Sequence, residues 1–516
     1  MNTDNHTPLH HAARNGQTST VERLLTNGAS IEAKDQDRST PLHLAVWKNH
    51  PDVVQLLLDK GASIQATNKY NNTALHLAAW SGHSSMAELL LRNGASISAR
   101  NKYRNTPLHL AASKGHTGTV ELLLEKAASI EAVNEDLNTP LHLAAVSGSE
   151  STVRLLLKKG ASIDAMGSYS FTPLHCAAQS GHTGTVGLLL KEGASVGAMG
   201  FHNFTPLHCA ALNGQTGVVG LLLQEGVSIE ALDTSLHPAA ENGHSGLVEL
   251  LLAKGASVEA TNIYKHNRTS LHCAVEGGHT GVVELLLSKG ASVKAMDNYY
   301  ATPLHFAAEC GHTGVVELLL ERGASIEAKD KGNNTPLHFA TECGHTGVVE
   351  LLLERGASIE AKDGDSKTPL HIAAKYGLTE VVELLLEKGA LVEAMNNNNN
   401  TPLHLAAWGN HTEVVELLLE KGASVEAMNN NNNTPLHFAA WGDHTEVVEL
   451  LLEKGASVEA MNINNNTPLH LAAWDDHTKV VELLLEKGAS IEAMNKASNT
   501  PLHLVAQSGH TGSATP

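Results

Sequence analysis

Thirty-two histidines and five cysteines are the residues of this chain best suited to bind a metal ion or act as nucleophiles. Half of the histidines end a four-residue stretch, Thr-Pro-Leu-His or a close variant. It recurs sixteen times, mostly at intervals of 33 residues, as from Thr401 to Thr434. If such units stack side by side, equivalent histidines lie roughly 8–10 Å apart. Zinc needs converging nitrogens at about 2.0–2.1 Å, so neighbouring copies cannot share an ion. The spacing therefore predicts structural histidines rather than metal ligands.

The cysteines offer no better case for chemistry. Cys176 and Cys209 occupy the same slot in adjacent units, as do Cys310 and Cys343, and this separation is too large for a disulfide. With Cys273, they are expected to be reduced thiols acting as small buried apolar residues. The sequence contains no phosphate-binding loop, nucleophile elbow or zinc-protease motif. We therefore predict no catalytic residue, no metal site and no cofactor.

The recurring stretch has the properties of a helix start. Thr401 is a good N-cap, because its hydroxyl accepts a hydrogen bond from a free backbone N–H. Pro402 suits the first helical position, where the missing N–H is not needed. His404 falls three residues after the cap, where its side chain can bond back to the threonine, as glutamate does in a capping box. Each copy is therefore expected to begin a short helix.

One unit reads as two helices and a connection. The first helix is expected to run from Pro402 to Trp408, and the second to begin at Thr412 or Glu413. Gly422 ends the second helix, at a position that favours the left-handed conformation. Residues 423–428 are expected to be extended, and the asparagines that follow to form a tight turn.

The pattern Thr-Pro-Leu-His-x-Ala-Ala-x-x-Gly-His, followed by Val-Val-x-Leu-Leu-Leu-x-x-Gly-Ala, resembles the ankyrin repeat over nearly the whole chain. The resemblance implies an all-α ankyrin-repeat solenoid of antiparallel helix pairs joined by short β-hairpin fingers, with a concave face that binds other proteins. Ser424 and Glu426 stand where that repeat usually has Asp and Asn. The asparagine hydroxylation known in the family is therefore not expected here.

The spacing sets the expected organisation of the chain. Residues 1–6 form a short tail, residues 7–499 hold fifteen repeats, and residues 500–516 hold an incomplete one. The missing second helix of that repeat suggests a truncated product or a fragment. Two intervals, of 29 and 35 residues, make the array irregular near residues 233–268. A weak joint near residues 233–240 is one interpretation, and an insertion or deletion absorbed by a surface loop is the other.

Charge and composition limit the classes of partner and the compartment expected for this chain. A formal net charge of −19 opposes binding to nucleic acid and to anionic membranes. No apolar run approaches the ~18 residues of a membrane span, so no membrane insertion is expected. The first residues lack the features of a secretory signal. Together with reduced thiols, this favours the cytoplasm, or the nucleus. The chain is expected to be a monomer.

Positions that the packing leaves free are the candidate binding sites. In ankyrin-like folds, the residues at the end of the first helix face the groove, beside the finger tips. The large side chains expected to bind partners, at these positions and in the longest finger, are Trp47, Trp80, Tyr376, Trp408, Trp441, Trp474, Tyr264, Lys265 and Arg268. Tryptophan is a favoured interface anchor. The alternative for the stripe at Trp408, Trp441 and Trp474 is that each ring packs on its neighbour's helix.

Three functions are consistent with these features. The first is a non-catalytic scaffold or adaptor that binds proteins through the groove and finger tips. The second is the partner-recognition arm of a larger enzyme or signalling protein. The third is an elastic spacer that has no specific partner.

Overall fold

The computed structural model describes residues 5–508. It divides into two compact units, Met1–Ser257 and Val258–Pro516. Across the described residues the secondary structure is almost entirely helical, with one two-stranded hairpin, which confirms the all-α fold of paired helices. No helix in this part of the chain is long and apolar enough to cross a membrane. The predicted absence of a final second helix concerns residues 509–516, which lie outside the described residues.

The first unit contains eight helix pairs. They are α1 (Pro8–Arg14), α2 (Thr18–Thr26), α3 (Pro41–Trp47), α4 (Pro51–Asp59), α5 (Ala74–Trp80), α6 (Ser84–Arg92), α7 (Pro107–Ser113), α8 (Thr117–Glu125), α9 (Pro140–Ser147), α10 (Glu150–Lys158), α11 (Pro173–Ser180), α12 (Thr183–Lys191), α13 (Pro206–Leu212), α14 (Thr216–Gln224), α15 (Ile229–Glu241) and α16 (Ser245–Ala253).

The second unit contains a hairpin, seven helix pairs and a final helix. They are β1 (Thr261–Asn262), β2 (Arg268–Thr269), α17 (Ser270–Glu276), α18 (Thr280–Ser288), α19 (Pro303–Glu309), α20 (Thr313–Glu321), α21 (Pro336–Glu342), α22 (Thr346–Glu354), α23 (Pro369–Tyr376), α24 (Thr379–Glu387), α25 (Pro402–Trp408), α26 (Thr412–Glu420), α27 (Pro435–Trp441), α28 (Thr445–Glu453), α29 (Pro468–Trp474), α30 (Thr478–Glu486) and α31 (Pro501–Ser508).

Each helix pair buries one apolar face against the next pair. In α25 and α26 the fully buried side chains include Leu403, Ala406, Val415 and Leu418. The small alanines let the first helices of successive repeats pack closely, as α25 does on α27. Burying each leucine contributes about 1.5–3 kcal/mol, which a single repeat could not gain alone.

The residues that end the helices have the left-handed conformation that the sequence predicts. Gly422, after α26, has φ 92°, and Asn410, after α25, has φ 60°. Ala127 is the exception among the second-helix ends, because it holds φ 64° with a β-carbon. In L-residues this conformation brings the β-carbon close to the backbone and costs on the order of 1 kcal/mol.

We expect Ala127→Gly to raise the free energy of unfolding by about 1 kcal/mol, because glycine adopts φ > 0 without that strain. Urea denaturation followed by circular dichroism measures the change. Ala128→Gly is the matched control, since Ala128 does not have positive φ. The control should be destabilising, because glycine adds backbone freedom to the unfolded chain. A lower midpoint for Ala127→Gly than for the unmodified chain would contradict the prediction.

The connections differ in one respect from the sequence-based expectation. Residues 423–428 are not extended, because the Ala427 N–H donates to the Ser424 carbonyl in a tight turn. The finger tip then closes through Asn429 and Asn433, and Asn430 donates to the Asn398 carbonyl of the previous finger. Among the described fingers, only the longest forms strands, with Thr261 opposite Thr269. The shorter fingers have too few residues for a ladder.

The 29-residue interval before Thr234 contains a second difference from the sequence-based expectation. Thr234 does not begin a helix, because α15 already begins at Ile229, where the Ser228 hydroxyl accepts from the Ala231 N–H. The earlier cap turns the shortened finger into helix, and Pro238 lies inside α15. A weak joint near residues 233–240 stays a prediction.

Candidate functional site

Fifteen of the sixteen tetrad histidines are buried, and His404 shows how both ring nitrogens of such a side chain are bonded. Nδ1 of His404 lies 3.1 Å from the Thr401 backbone nitrogen and 2.9 Å from the Thr401 hydroxyl. Nε2 lies 3.0 Å from the Asn433 carbonyl oxygen of the next repeat. A carbonyl oxygen can only accept, so Nε2 carries the proton and Nδ1 accepts. The ring therefore closes the predicted capping box and also ties its repeat to the next finger.

Burial also fixes the protonation state of these rings. Desolvation lowers the pKa of His404 and of His437 to about 4, although hydrogen bonds to backbone carbonyls oppose the change. Both rings are therefore neutral near neutral pH. Within residues 5–508, no three His, Cys, Asp or Glu side chains are grouped so that they could hold a metal ion.

A second set of histidines lies in the turn between the two helices of a repeat. Nε2 of His444 lies 3.0 Å from the Trp408 carbonyl oxygen, and Nε2 of His477 lies 2.8 Å from that of Trp441. His116 makes the equivalent bond to Trp80 at 3.1 Å. Each turn histidine therefore donates to the last residue of the first helix in the previous repeat. This bond fixes the backbone that presents the tryptophan side chain.

The cysteines are free thiols throughout the part of the chain that the structure describes. Burial raises the pKa of Cys176 and of Cys209 to about 12, so neither is a reactive thiolate. Cys273 is buried too, and Cys310 is half-buried. The expectation of burial is wrong for Cys343, which is exposed because it caps the end of α21, where the helix meets the surface.

The tryptophans at Trp408, Trp441 and Trp474 form the C-terminal tryptophan stripe. They end the successive helices α25, α27 and α29, and about half of each side chain is exposed, 49%, 53% and 51%. Trp474 lines a hollow of about 290 Å³ with Asn464 of the finger. About half of the surface of each tryptophan is therefore available to a partner.

Trp47 and Trp80 line a larger cavity, the N-terminal groove, of about 590 Å³. Tyr70 and Tyr103, on the adjacent finger tips, line the same cavity, and all four rings are exposed. The tryptophans were predicted from the sequence, and the tyrosines were not. Their 33-residue spacing at the finger tips was the signal that could have identified them.

Tyr376 lies in a different environment from the tryptophans. Its hydroxyl donates to Glu342 Oε1 at 3.0 Å, and Lys375 Nζ lies 4.6 Å from the centre of its ring. In the preceding repeats, Glu309 and Glu276 occupy the position of Lys375. Desolvation raises the pKa of Glu309, and the charges of Glu276 and Glu342 add to this effect while Arg268 opposes it. This part of the second unit therefore has an acidic character.

The three candidates in the longest finger are not equivalent. Tyr264 is exposed and Lys265 is half-buried. The Arg268 guanidinium donates to Glu276 Oε2 at 3.0 Å and lies 4.0 Å from the centre of the Phe306 ring. Its Nε is 3.7 Å from Asp297, which is buried. Arg268 therefore stabilises the finger, and a role in binding a partner would require these contacts to be exchanged.

Another residue that sequence reasoning missed is the glutamate that precedes the finger. Glu426 Oε1 accepts from the backbone N–H of Ser457 at 2.5 Å, one repeat further on. Glu393 and Glu459 make the equivalent bonds, to Ser424 and Ser490. The glutamate of the Ser-x-Glu segment therefore links its repeat to the next one. No motif within one repeat reveals this hydrogen bond.

The comparisons with known proteins agree with this geometry. The family model "Ankyrin repeats (3 copies)" matches residues 1–68, 75–167, 166–233, 230–297, 293–363, 361–429, 389–462 and 424–495, and "Ankyrin repeats (many copies)" matches residues 48–91. No relative among the curated proteins matches the chain. Ankyrin repeats generally bind other proteins and are typically non-catalytic. The matches cover most of the sequence, and the chain therefore belongs to the ankyrin repeat family.

Proposed function

We propose that the protein is a non-catalytic scaffold or adaptor that binds other proteins through its first-helix ends and finger tips. It acts as a monomer in the cytoplasm or the nucleus. The observation that supports this function best is the C-terminal tryptophan stripe, because half-exposed tryptophans occupy one position in three successive repeats. Large amphipathic rings of this kind are enriched among the residues that dominate protein interfaces.

The stripe is also held in place before any partner binds. His444 and His477 donate to the carbonyls of Trp408 and Trp441, so the helix ends are fixed. The finger beside Trp441 is closed by Asn429, whose side-chain oxygen accepts from Asn431 and Asn433. A surface fixed in this way loses little conformational entropy on binding, which favours affinity.

The histidines and cysteines support the non-catalytic part of the proposal. A general base needs a free lone pair near its substrate, and the tetrad histidines use both ring nitrogens inside the fold. A nucleophilic cysteine needs a lowered pKa, whereas burial raises the pKa of Cys176 and Cys209. The function then rests on shape and surface chemistry.

The test is to replace Trp408, Trp441 and Trp474 by alanine together and to compare the proteins captured by the intact and the substituted chain. Loss of an anchoring tryptophan costs roughly 2 kcal/mol, so recovery of a partner bound at the stripe should fall at least thirtyfold. The rings are half-exposed, so circular dichroism should show little loss of helix.

The matched control places three alanines on the outer face of the same repeats, at Glu416, Glu449 and Glu482, which are all exposed. This control should keep every partner. Equal partner sets for the tryptophan variant and the intact chain would remove the stripe as the binding site. Recovery of no specific partner by the intact chain would favour the spacer function.

A further inference from the structure

The N-terminal repeats differ in charge from the rest of the chain. Residues 1–115 contain twelve Lys and Arg against eight Asp and Glu, whereas the full chain contains 35 against 54. The excess of positive charge is therefore local, in a protein that is acidic elsewhere. A surface of one sign attracts partners of the other sign and repels those of its own.

Part of this positive charge lies on the aromatic rings of the N-terminal groove. Lys48 Nζ is 4.1 Å from the centre of the Trp47 ring, and Lys114 Nζ is 4.8 Å from that of Trp80. The Arg14 guanidinium carbon lies 5.9 Å from the Trp47 ring. These distances allow cation–π attraction, which holds the ammonium groups over the rings while they stay in water.

The two carboxylates that line the groove, Asp35 and Asp37, have partners of their own. Asp35 is 3.4 Å from Nε2 of His6 and accepts from the Ser39 backbone N–H at 2.7 Å. Asp37 is paired with Lys69. In contrast, no carboxylate of the described residues lies within ion-pair distance of Arg14, Lys48 or Lys114. The groove therefore presents aromatic rings beside unpaired cations.

We propose that the N-terminal groove binds an acidic, extended segment of a partner protein in which aromatic or aliphatic side chains alternate with carboxylates. This inference rests on the proposed protein-binding function and specifies one of its partners. Apolar side chains pack on Trp47 and Trp80, and carboxylates pair with Lys48 and Lys114. Covering a cation–π pair with a partner removes water and strengthens both contacts.

The repeat geometry sets the spacing of such a segment. Trp47 and Trp80 lie on first helices of consecutive repeats, roughly 8–10 Å apart, which about three residues of an extended chain span. Lys48 and Lys114 are two repeats apart, so carboxylates about six residues apart reach both. Stacked nucleic acid bases need ring platforms much closer together, and the net charge of the chain opposes them.

The experiment selects ligands for the full-length chain from a random library of peptides of about twelve residues, and measures their affinities by fluorescence anisotropy. Enriched peptides are expected to be acidic, with apolar residues about three apart. Lys48→Glu with Lys114→Glu should weaken their binding by at least tenfold, because attraction becomes repulsion at two positions. Added salt should weaken binding to the intact chain.

Lys60→Glu with Lys126→Glu is the matched control. Both lysines are exposed and cap the ends of α4 and α8, as Lys48 and Lys114 cap those of α3 and α7, so the net charge and the helix-end effect change equally. This control should keep the affinity of the intact chain. Equal weakening by both double variants would overturn the proposal, because long-range charge alone would explain it.

Three other results would also overturn the inference, and they separate it from the proposed function. Enrichment of basic or neutral peptides, or of acidic peptides indifferent to Lys48 and Lys114, rejects the groove assignment and leaves protein binding intact. Tighter binding of a thymidine oligonucleotide than of any selected peptide rejects the protein partner. Enrichment of no peptide by the full-length chain, together with capture of no partner, rejects the proposed function itself.

Discussion

Acidification from about pH 7 to pH 5 is expected to destabilise this protein strongly while most of its carboxylates are still ionised. The cause is the buried tetrad histidines. Burial lowers the pKa of seven of them from 6.5 to about 4, namely His76, His109, His208, His272, His371, His404 and His437. In the unfolded chain the same side chains titrate near 6.5.

The direction follows from which state binds the proton. Above about pH 7 the histidines are neutral in both states, and the free energy of unfolding does not depend on them. Between pH 6.5 and pH 4 the unfolded chain binds protons that the native chain does not, so stability falls as the pH falls. A lowering of about 2.5 pKa units corresponds to roughly 3 kcal/mol for each such repeat at the acid end. Losses of this size in many repeats exceed the stability of an ordinary domain.

Urea denaturation at several pH values between about 7.5 and 4.5 measures this effect. The midpoint should be constant at the upper end and should fall steeply below about pH 6.5. Because burial rather than charge lowers these pKa values, the slope should persist in about 0.5 M salt, where surface charges are largely screened. A midpoint that does not change between pH 7 and pH 5 would contradict the prediction.

The sequence predicted the fold because every signal repeats. A threonine cap, a proline at the first helical position and a residue with positive φ each have weak predictive value once, but here they agree in register many times. The structure has them where they were expected, as at Thr401, Pro402, His404 and Gly422. Agreement of independent local preferences with one period is what makes a stacked array recognisable.

The failures have local causes. Thr234 was expected to begin a helix, but Ser228 caps the helix earlier, because the shortened interval removed the finger that separates these positions. Residues 423–428 alternate like a strand, yet they form a turn, which the hydrogen bond from the Ala427 N–H to the Ser424 carbonyl closes. Pattern alone cannot show whether a partner strand is present.

The candidate site was predicted only in part, because its chemistry lies between repeats. The tryptophans were found by their position in the period, and their use by partners stays a prediction. The lysine over the Trp80 ring, and the contacts of Asp35 with His6 and of Asp37 with Lys69, depend on side chains that lie about one repeat apart in the sequence. Those contacts have no signature within one 33-residue unit, so only the folded geometry reveals a cationic groove.

Replacement of His404 by alanine is expected to lower the free energy of unfolding by roughly 3–5 kcal/mol. It leaves the buried Thr401 N–H without its partner, which costs about 1–3 kcal/mol. It also removes one of the two hydrogen bonds to the Asn433 carbonyl, which still accepts from the Asn429 N–H. The missing ring also leaves a cavity between two repeats, which adds to the loss.

His503 supplies the matched control, because it occupies the same position in the last tetrad. Its Nδ1 bonds to Thr500 as in the other repeats, but the ring is exposed and has no carbonyl partner from a following repeat among the described residues. His503→Ala should therefore cost about 1 kcal/mol, the value of a helix cap. The difference between the two variants measures what the burial of the ring between repeats, including its bond to Asn433, adds to the helix cap.

Hydrogen exchange can show which helices lose stability in the His404→Ala variant. In a stacked array each repeat interacts mainly with its neighbours, so His404→Ala should increase exchange in α25 to α28 while leaving the first unit protected. Equal destabilisation by His404→Ala and His503→Ala would mean that the link to Asn433 contributes nothing. In that case the tetrad histidine would act only as a helix cap, and the coupling between repeats would have to come from apolar packing and from the glutamate links such as Glu426 to Ser457.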